Sequence, residues 1–168
     1  LTNNIICIQI VGIQIMADTS LSEKKIGLLI WQVSNYWQSQ LRKILKNYNL
    51  TLNEYLIIES IQSLSKNKNK LYQIEISIFS GIDISVSSVT FKLLEKKKLI
   101  TRTIEDDNRK KIIKMLSQGY YLYNEINPII LKEESIIFDK LQNETNYFKN
   151  ILKLLLGKSL RVRAEKIL

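Results

Sequence analysis

The chain holds 168 residues, 45% of them apolar and 24% charged, with a formal net charge of +9. That is enough for one domain to bury a core without cross-links, and the basic excess fits a phosphate-bearing partner, either nucleic acid or an anionic surface. One cysteine (Cys7), no histidine and isolated glycines exclude an internal disulfide, His-based nucleophilic catalysis, the common zinc sites and the Gly-rich phosphate cradles. No convergent catalytic set can be named, so the chain reads as a non-enzyme with no cofactor and no metal site.

The opening stretch LTNNIICIQIVGIQIM is too short, and too interrupted by Gln9 and Gln14, to span a bilayer. It lacks the basic start and cleavage pattern of a signal peptide, so the expected location is cytoplasmic, with no membrane partner. Met16 reads as the natural start. Residues 1–17 are expected to be an extension, non-native or disordered, ahead of a single domain over 18–168.

From Leu21 to Tyr48, apolar residues such as Ile26, Ile30, Val33, Trp37, Leu41 and Leu45 recur at helical spacing. Asn49 interrupts them. Thr51, with Glu54 three residues on, forms a capping-box signature for a second, shorter helix carrying Leu52, Tyr55, Ile58 and Ile61. KNKNK (66–70) is a polar loop. QIEISI (73–78) alternates as a strand would, yet its context argues for helix. Gly81 follows, then a run from Ser85 to Lys98 with Val86, Val89, Leu93 and Leu94 on one side and Ser85 as N-cap. A short helix, a turn holding a glycine and a longer helix make a helix-turn-helix, so 72–79 is assigned as helix. Leu99–Glu105 and Lys111–Leu116 read as short strands around the polar tip EDDNRKK (105–111). Ser117 caps another long helix, in which Pro128 predicts a kink or a break. A last helix spans about Asn146 to Leu156.

The expected fold is mainly α with a small β-hairpin wing. A winged helix-turn-helix (51–116) sits between long terminal helices (21–48 and 118–168) whose wide apolar faces need burial, a second copy being the natural partner. From about 21 to 156 the chain resembles the MarR family of bacterial transcription regulators. The resemblance rests on NLTLNEYLIIESI (49–61), the QIEIS…SGIDIS block (73–85), LLEKKKLITR (93–102), DDNRKK (106–111) and a Ser-x-Gly at 117–119, taken in order and spacing. It implies an obligate homodimer through the terminal helices and a recognition helix at about 85–97 that enters the major groove. It also implies a hairpin tip, Asp107-Asn108-Arg109, where Arg109 reaches the minor groove and Asp107 orients it. The implied function is a cytoplasmic regulator, as a repressor, on a pseudo-palindromic operator of double-stranded DNA with half-sites one helical turn apart. Three departures from the family's pattern stand out. Lys98 occupies a helix C-terminal position that is usually Gly, the apolar positions of the recognition helix are shifted by one, and Val89 or Thr90 stands where Arg is common.

Between Lys92 and Lys114 nine basic residues face four acids, a local +5; such charge supplies salt-sensitive affinity for phosphates. The candidate contacts on the recognition helix are Ser85, Ser87, Ser88, Thr90 and Lys92. Small hydroxyl residues allow close approach to backbone and base edges, though Ser85 serves equally well as a cap. Lys96–Lys98 read mainly as a solvated face. On the wing the candidates are Asp107, Arg109, Lys110 and Lys111, with Arg102 as a further phosphate contact. Glu105 and Asp106 gain no role.

Members of the family commonly release DNA when a small molecule enters a cleft between the dimer helices and the DNA lobe. Trp31, Tyr36, Tyr55 and Tyr72 are the candidates to line such a cleft. Aromatics at helical spacing normally pack, so core and dimer packing is the stronger reading for them. Two alternatives to a sequence-specific regulator remain: an architectural DNA binder with low sequence preference, and a winged-helix protein-interaction module.

Overall fold

The computed structural model describes residues 25–104 and 110–157. The expected extension over 1–17 and any helix beyond Gly157 lie outside them. The chain divides into two compact units after Tyr36. The first is described through the opening turns of α1 (Ile26–Lys46), where Ile26, Trp31, Val33 and Tyr36 are largely exposed.

The second unit runs from the rest of α1 through α2 (Leu52–Ser65), β1 (Leu71–Tyr72), α3 (Gln73–Ser80) and α4 (Ile84–Lys96). A hairpin follows, β2 (Ile100–Ile104) and β3 (Lys111–Met115), then α5 (Ser117–Phe138), a 3₁₀ segment (Asp139–Glu144) and α6 (Thr145–Leu155). The mainly helical fold with a hairpin wing is therefore as expected, and QIEISI is helical despite its alternation. The unanticipated strand is β1. It adds to the far side of β3, giving the antiparallel order β1-β3-β2 with Leu71 opposite Ile113 and Ile100 opposite Met115. Two residues leave no pattern to read in a sequence.

Each boundary has a local cause. Thr51 Oγ1 accepts from the Glu54 N–H at 3.2 Å while Glu54 Oε2 accepts from the Thr51 N–H at 2.7 Å, so the capping box that opens α2 is complete. Asn49 ends α1 in the left-handed region (φ 53°), which Asn tolerates better than most residues. Gly81 closes α3 at φ 71°, where a side chain would be strained. Lys98 takes φ 57° after α4, as its departure from the family's Gly implied, at a cost of about 1 kcal/mol.

Two cap assignments need correction. Asp83, not Ser85, caps α4, its Oδ1 accepting from the Ser85 N–H at 2.8 Å. Leu116, not Ser117, is the cap position of α5. Pro128 does not break α5, which runs on for ten residues before the chain tightens at the 3₁₀ segment, where Gln142 leaves helical geometry (φ 46°).

The core lies where α2, α3, α4 and the sheet meet the middle of α5. Ile57, Ile58 and Ile61 of α2 pack with Ile76, Phe91, Leu94, Ile113 and Ile126, all essentially without solvent exposure. Gly119 brings α5 hard against the residues that follow α4: a Cβ there would sit 2.3 Å from the Leu99 carbonyl oxygen and 2.8 Å from Met115 Cγ. This is the physical reason for the Ser-x-Gly at 117–119.

Candidate nucleic-acid interface

The axes of α3 and α4 are bent by 114° across the short turn at Gly81, within the usual range for a helix-turn-helix. The crossing is close because serines meet there, Ser77 Oγ lying 2.7 Å from Ser87 Oγ. The hydroxyls also lie on backbone carbonyls of their own helices, Ser77 on Gln73 and Ser87 on Ile84, and Thr90 Oγ1 donates to Val86 at 2.9 Å. A hydroxyl bonded to its own helix in this way can be buried as a small apolar group would be.

Two sequence-derived contacts on the recognition helix therefore need correction. Ser87 and Thr90 are buried against α3 and the core, not turned toward a partner. The apolar face is rotated as well. Phe91 and Leu94 point inward with these two residues, while Val86, Val89 and Leu93 are exposed. Ser85 and Lys92 are exposed and Ser88 half-buried; Ser85 Oγ is spent on Asp83 Oδ1, which also holds the Asp83 carboxyl below its usual range.

Lys97 does not belong to a solvated face. Its Nζ donates to Glu54 Oε2 at 2.8 Å, lies 2.7 Å from Oε1, and donates to the Asn49 carbonyl at 2.6 Å. The Glu54 side chain is 1% exposed and that of Lys97 30%. One buried carboxylate thus caps α2 and ties that cap to the end of α4. The Glu54 signal in the sequence announced a cap, but nothing in it announced the lysine forty-three positions on.

Arg102 is also committed. Its Nε donates to Glu95 Oε2 at 2.9 Å and its Nη2 contacts the same oxygen. The hydrogen bond from Arg102 holds the Glu95 carboxyl below its ordinary range. With its side chain only 16% exposed, Arg102 joins α4 to the wing and has little surface left for a phosphate.

Asp107 and Arg109 lie outside the described residues. At the base of the wing Lys110 and Lys111 are exposed, and Lys110 Nζ stands 5.9 Å from the centre of the Tyr72 ring, within cation–π range. Both lysines line a cavity of about 350 Å³ with Tyr72, Gln73, Glu75 and Ile84, which places the base of the wing beside the start of α4. Lys68 donates to Glu75 at 2.6 Å and lowers the titration of that carboxyl.

The four aromatic candidates for a ligand cleft have unlike settings. Tyr55 is core, 4% exposed; its hydroxyl donates to Asn127 Oδ1 at 3.3 Å, and burial pushes its titration upward. Tyr72 stands at the cap of α3 on the cavity just described. Trp31 and Tyr36 are exposed residues of the first unit. A separate apolar cleft of about 380 Å³ lies between α5 and α6, lined by Leu131, Phe138, Phe148 and Leu152 with Glu134, Asp139 and Lys149.

Together, the bent helix pair, the hairpin directly after it and the helices to either side make a winged helix-turn-helix. No protein-family model matches the chain. An uncharacterized HTH-type transcriptional regulator of Bacillus subtilis, YdcH, is 24% identical over 130 residues, 77% of this chain and 88% of that protein. Among solved structures, BpsR of Bordetella bronchiseptica, whose DNA binding is regulated by 6-hydroxynicotinic acid, superposes with a TM-score of 0.70 at 14% identity, over 80% of this chain and 100% of that one. A mutant MarR from E. coli complexed with operator DNA superposes with a TM-score of 0.68 at 17% identity, over 77% and 91%. The chain has the winged-helix fold of MarR-family regulators.

Proposed function

We propose that this chain is a double-stranded DNA-binding transcriptional regulator of the MarR type, acting as a homodimer on a pseudo-palindromic operator, with repression as its sense. The observation that carries the reading is α4 itself. It is a solvent-facing helix held by core contacts along one side, bearing Lys92 and Lys96 on the other, with Lys110 and Lys111 on the adjoining hairpin. The Glu54–Lys97 and Glu95–Arg102 pairs fix it to its neighbours, so its surface is presented without reorganisation on binding. The operator-bound MarR of the same fold and the YdcH relative support the same reading. Homodimer formation is supported by the exposed apolar residues of both ends, Ile26 and Trp31 in α1 and Tyr147, Leu154 and Leu155 in α6; a monomer rarely leaves so many in water.

Arg109 at the wing tip is assigned to the minor groove and Asp107 to orienting it. In fluorescence anisotropy with genomic fragments selected by the protein, affinity should fall steeply between low and physiological salt, and Arg109→Ala should weaken it markedly. Unchanged affinity of Arg109→Ala at physiological salt would refute the assignment, and salt-independent affinity would refute the DNA-binding reading itself. A small-molecule effector belongs to this reading through the fold shared with BpsR, and the α5–α6 cleft, rather than the four aromatics as a group, is its proposed seat. The architectural alternative draws on the lack of Arg, Asn and Gln in α4 and on the high lysine content of the chain. Competition between a selected site and random duplex separates the two, a ratio near one favouring the architectural binder.

A further inference from the structure

We infer that α4 recognises thymine methyl groups, so that the operator half-site beneath it is a run of A·T pairs read by apolar contact. The inference rests on the DNA-binding reading above and goes beyond it to the bases. The side of α4 opposite Ser87, Phe91 and Leu94 carries Ser85, Val89, Lys92 and Lys96, with Leu93 alongside. Val89 is 56% exposed and Leu93 43%, and Ile84 and Val86 of the first turn are exposed as well.

The side chains that grip purines through paired hydrogen bonds are Arg or Lys for guanine and Asn or Gln for adenine, while carboxylates accept from cytosine. This helix has no Arg, Asn or Gln, and its exposed lysines, Lys92 and Lys96, are single ammonium groups without the planar fork that makes Arg the usual reader of guanine. Its one acid, Glu95, is held by Arg102, and the Ser85 hydroxyl is held by Asp83. What is left on the surface, beside the half-buried Ser88, is branched hydrocarbon with Lys92 and Lys96 next to it.

Val86, Val89 and Leu93 follow one another along one side of α4 and stand in water, and a continuous aliphatic strip of this kind needs a cover. The flanking cations, Lys92 and Lys96 on the helix and Lys110 and Lys111 on the hairpin, select a cover with an apolar floor and an anionic rim. A major groove rich in thymine has that arrangement, with C5-methyl groups along the floor and phosphates on both edges. An aliphatic contact to such a methyl discriminates thymine from uracil, which differs by that carbon alone.

The test mixes the full chain with two pools of short randomised duplexes, one synthesised with thymidine and the other with deoxyuridine. Recovered sequences should carry A·T pairs at the positions facing α4. The best recovered duplex should bind more weakly when its thymines are replaced by deoxyuridine, by about fourfold for each methyl contacted. Val89→Ala, an exposed change to a strong helix former, should bring that thymine-to-uracil ratio down toward one. Equal affinity of the thymidine and deoxyuridine forms for the wild-type chain, or G·C pairs recovered beneath the helix, would overturn the inference while leaving the regulator standing. Absence of salt-sensitive binding to either pool would overturn both.

Discussion

Lys97→Met tests whether the end of α4 is anchored by charge. The substitution keeps the length and apolar stem of the side chain but removes a cation lying 2.7 and 2.8 Å from the two oxygens of Glu54. It also removes the donor to the Asn49 carbonyl. Glu54 would remain buried with the Thr51 N–H at 2.7 Å as its remaining strong donor. Breaking a buried ion pair from one side typically costs about 3–5 kcal/mol, because the surviving charge is left uncompensated. Lys97 is 30% exposed, so water reaches the site and replaces part of the lost interaction, which lowers the expectation to about 2–3 kcal/mol. For a chain of this size that is a fall of roughly 4–12 °C in Tm. Urea unfolding at neutral pH, followed by far-UV circular dichroism, measures it. Adding Glu54→Gln, which retains a capping side chain at that position, should recover much of the loss, since no buried charge then remains. A single variant within about 0.5 kcal/mol of wild type would refute the anchoring argument. Loss of DNA affinity with stability intact would instead return Lys97 to the role of a phosphate contact.

Gly119→Ala should destabilise the protein by about 2–3 kcal/mol, because its Cβ meets the Leu99 carbonyl oxygen at 2.3 Å and backbone must move; a thermal melt unchanged from wild type would show that the approach of α5 is looser than described. Lys98→Gly should stabilise by about 0.5–1 kcal/mol by relieving its left-handed backbone, which a raised urea midpoint would record. The carboxyls of Glu75 and Glu95 titrate below their ordinary range because of Lys68 and Arg102. Their contribution is therefore fully present above the usual carboxylate pKa and is lost as pH falls through the lowered values. Unfolding midpoints should drop on acidification from pH 5 toward the lowered values, and Glu95→Gln should flatten that dependence; an identical slope in the variant would remove the Arg102 pair from the explanation.

The order of elements was legible in the chain, because it depends on local chemistry. Thr51 and Glu54 announce the start of α2 in a form the folded protein realises. The polar tip between two apolar runs marks the hairpin, and Gly81 marks the turn between α3 and α4. Lys98, standing where the family that the chain resembles usually has Gly, pointed to a left-handed position, and the backbone takes it. QIEISI shows local signals yielding to context: its alternation favours a strand, yet α3 is fixed by its packing on α2 and α4.

The facing of α4 belongs to the tertiary structure. The helix has branched apolar residues on one side and serine and threonine mixed with Phe91 and Leu94 on the other, so periodicity places the apolar surface on the wrong face. Packing reverses the choice because Ser77 and Ser87 let two backbones approach and because each buried hydroxyl finds a carbonyl in its own helix. Long-range pairing decided the rest. Lys97 and Arg102 read as spare positive charge until folding brings Glu54 and Glu95 against them, and Tyr55 reads as a cleft residue until Asn127 meets its hydroxyl in the core. A sequence determines which residues can cap, turn or bury; which cation meets which carboxylate, and which side of a helix faces water, depends on contacts between residues far apart in the chain.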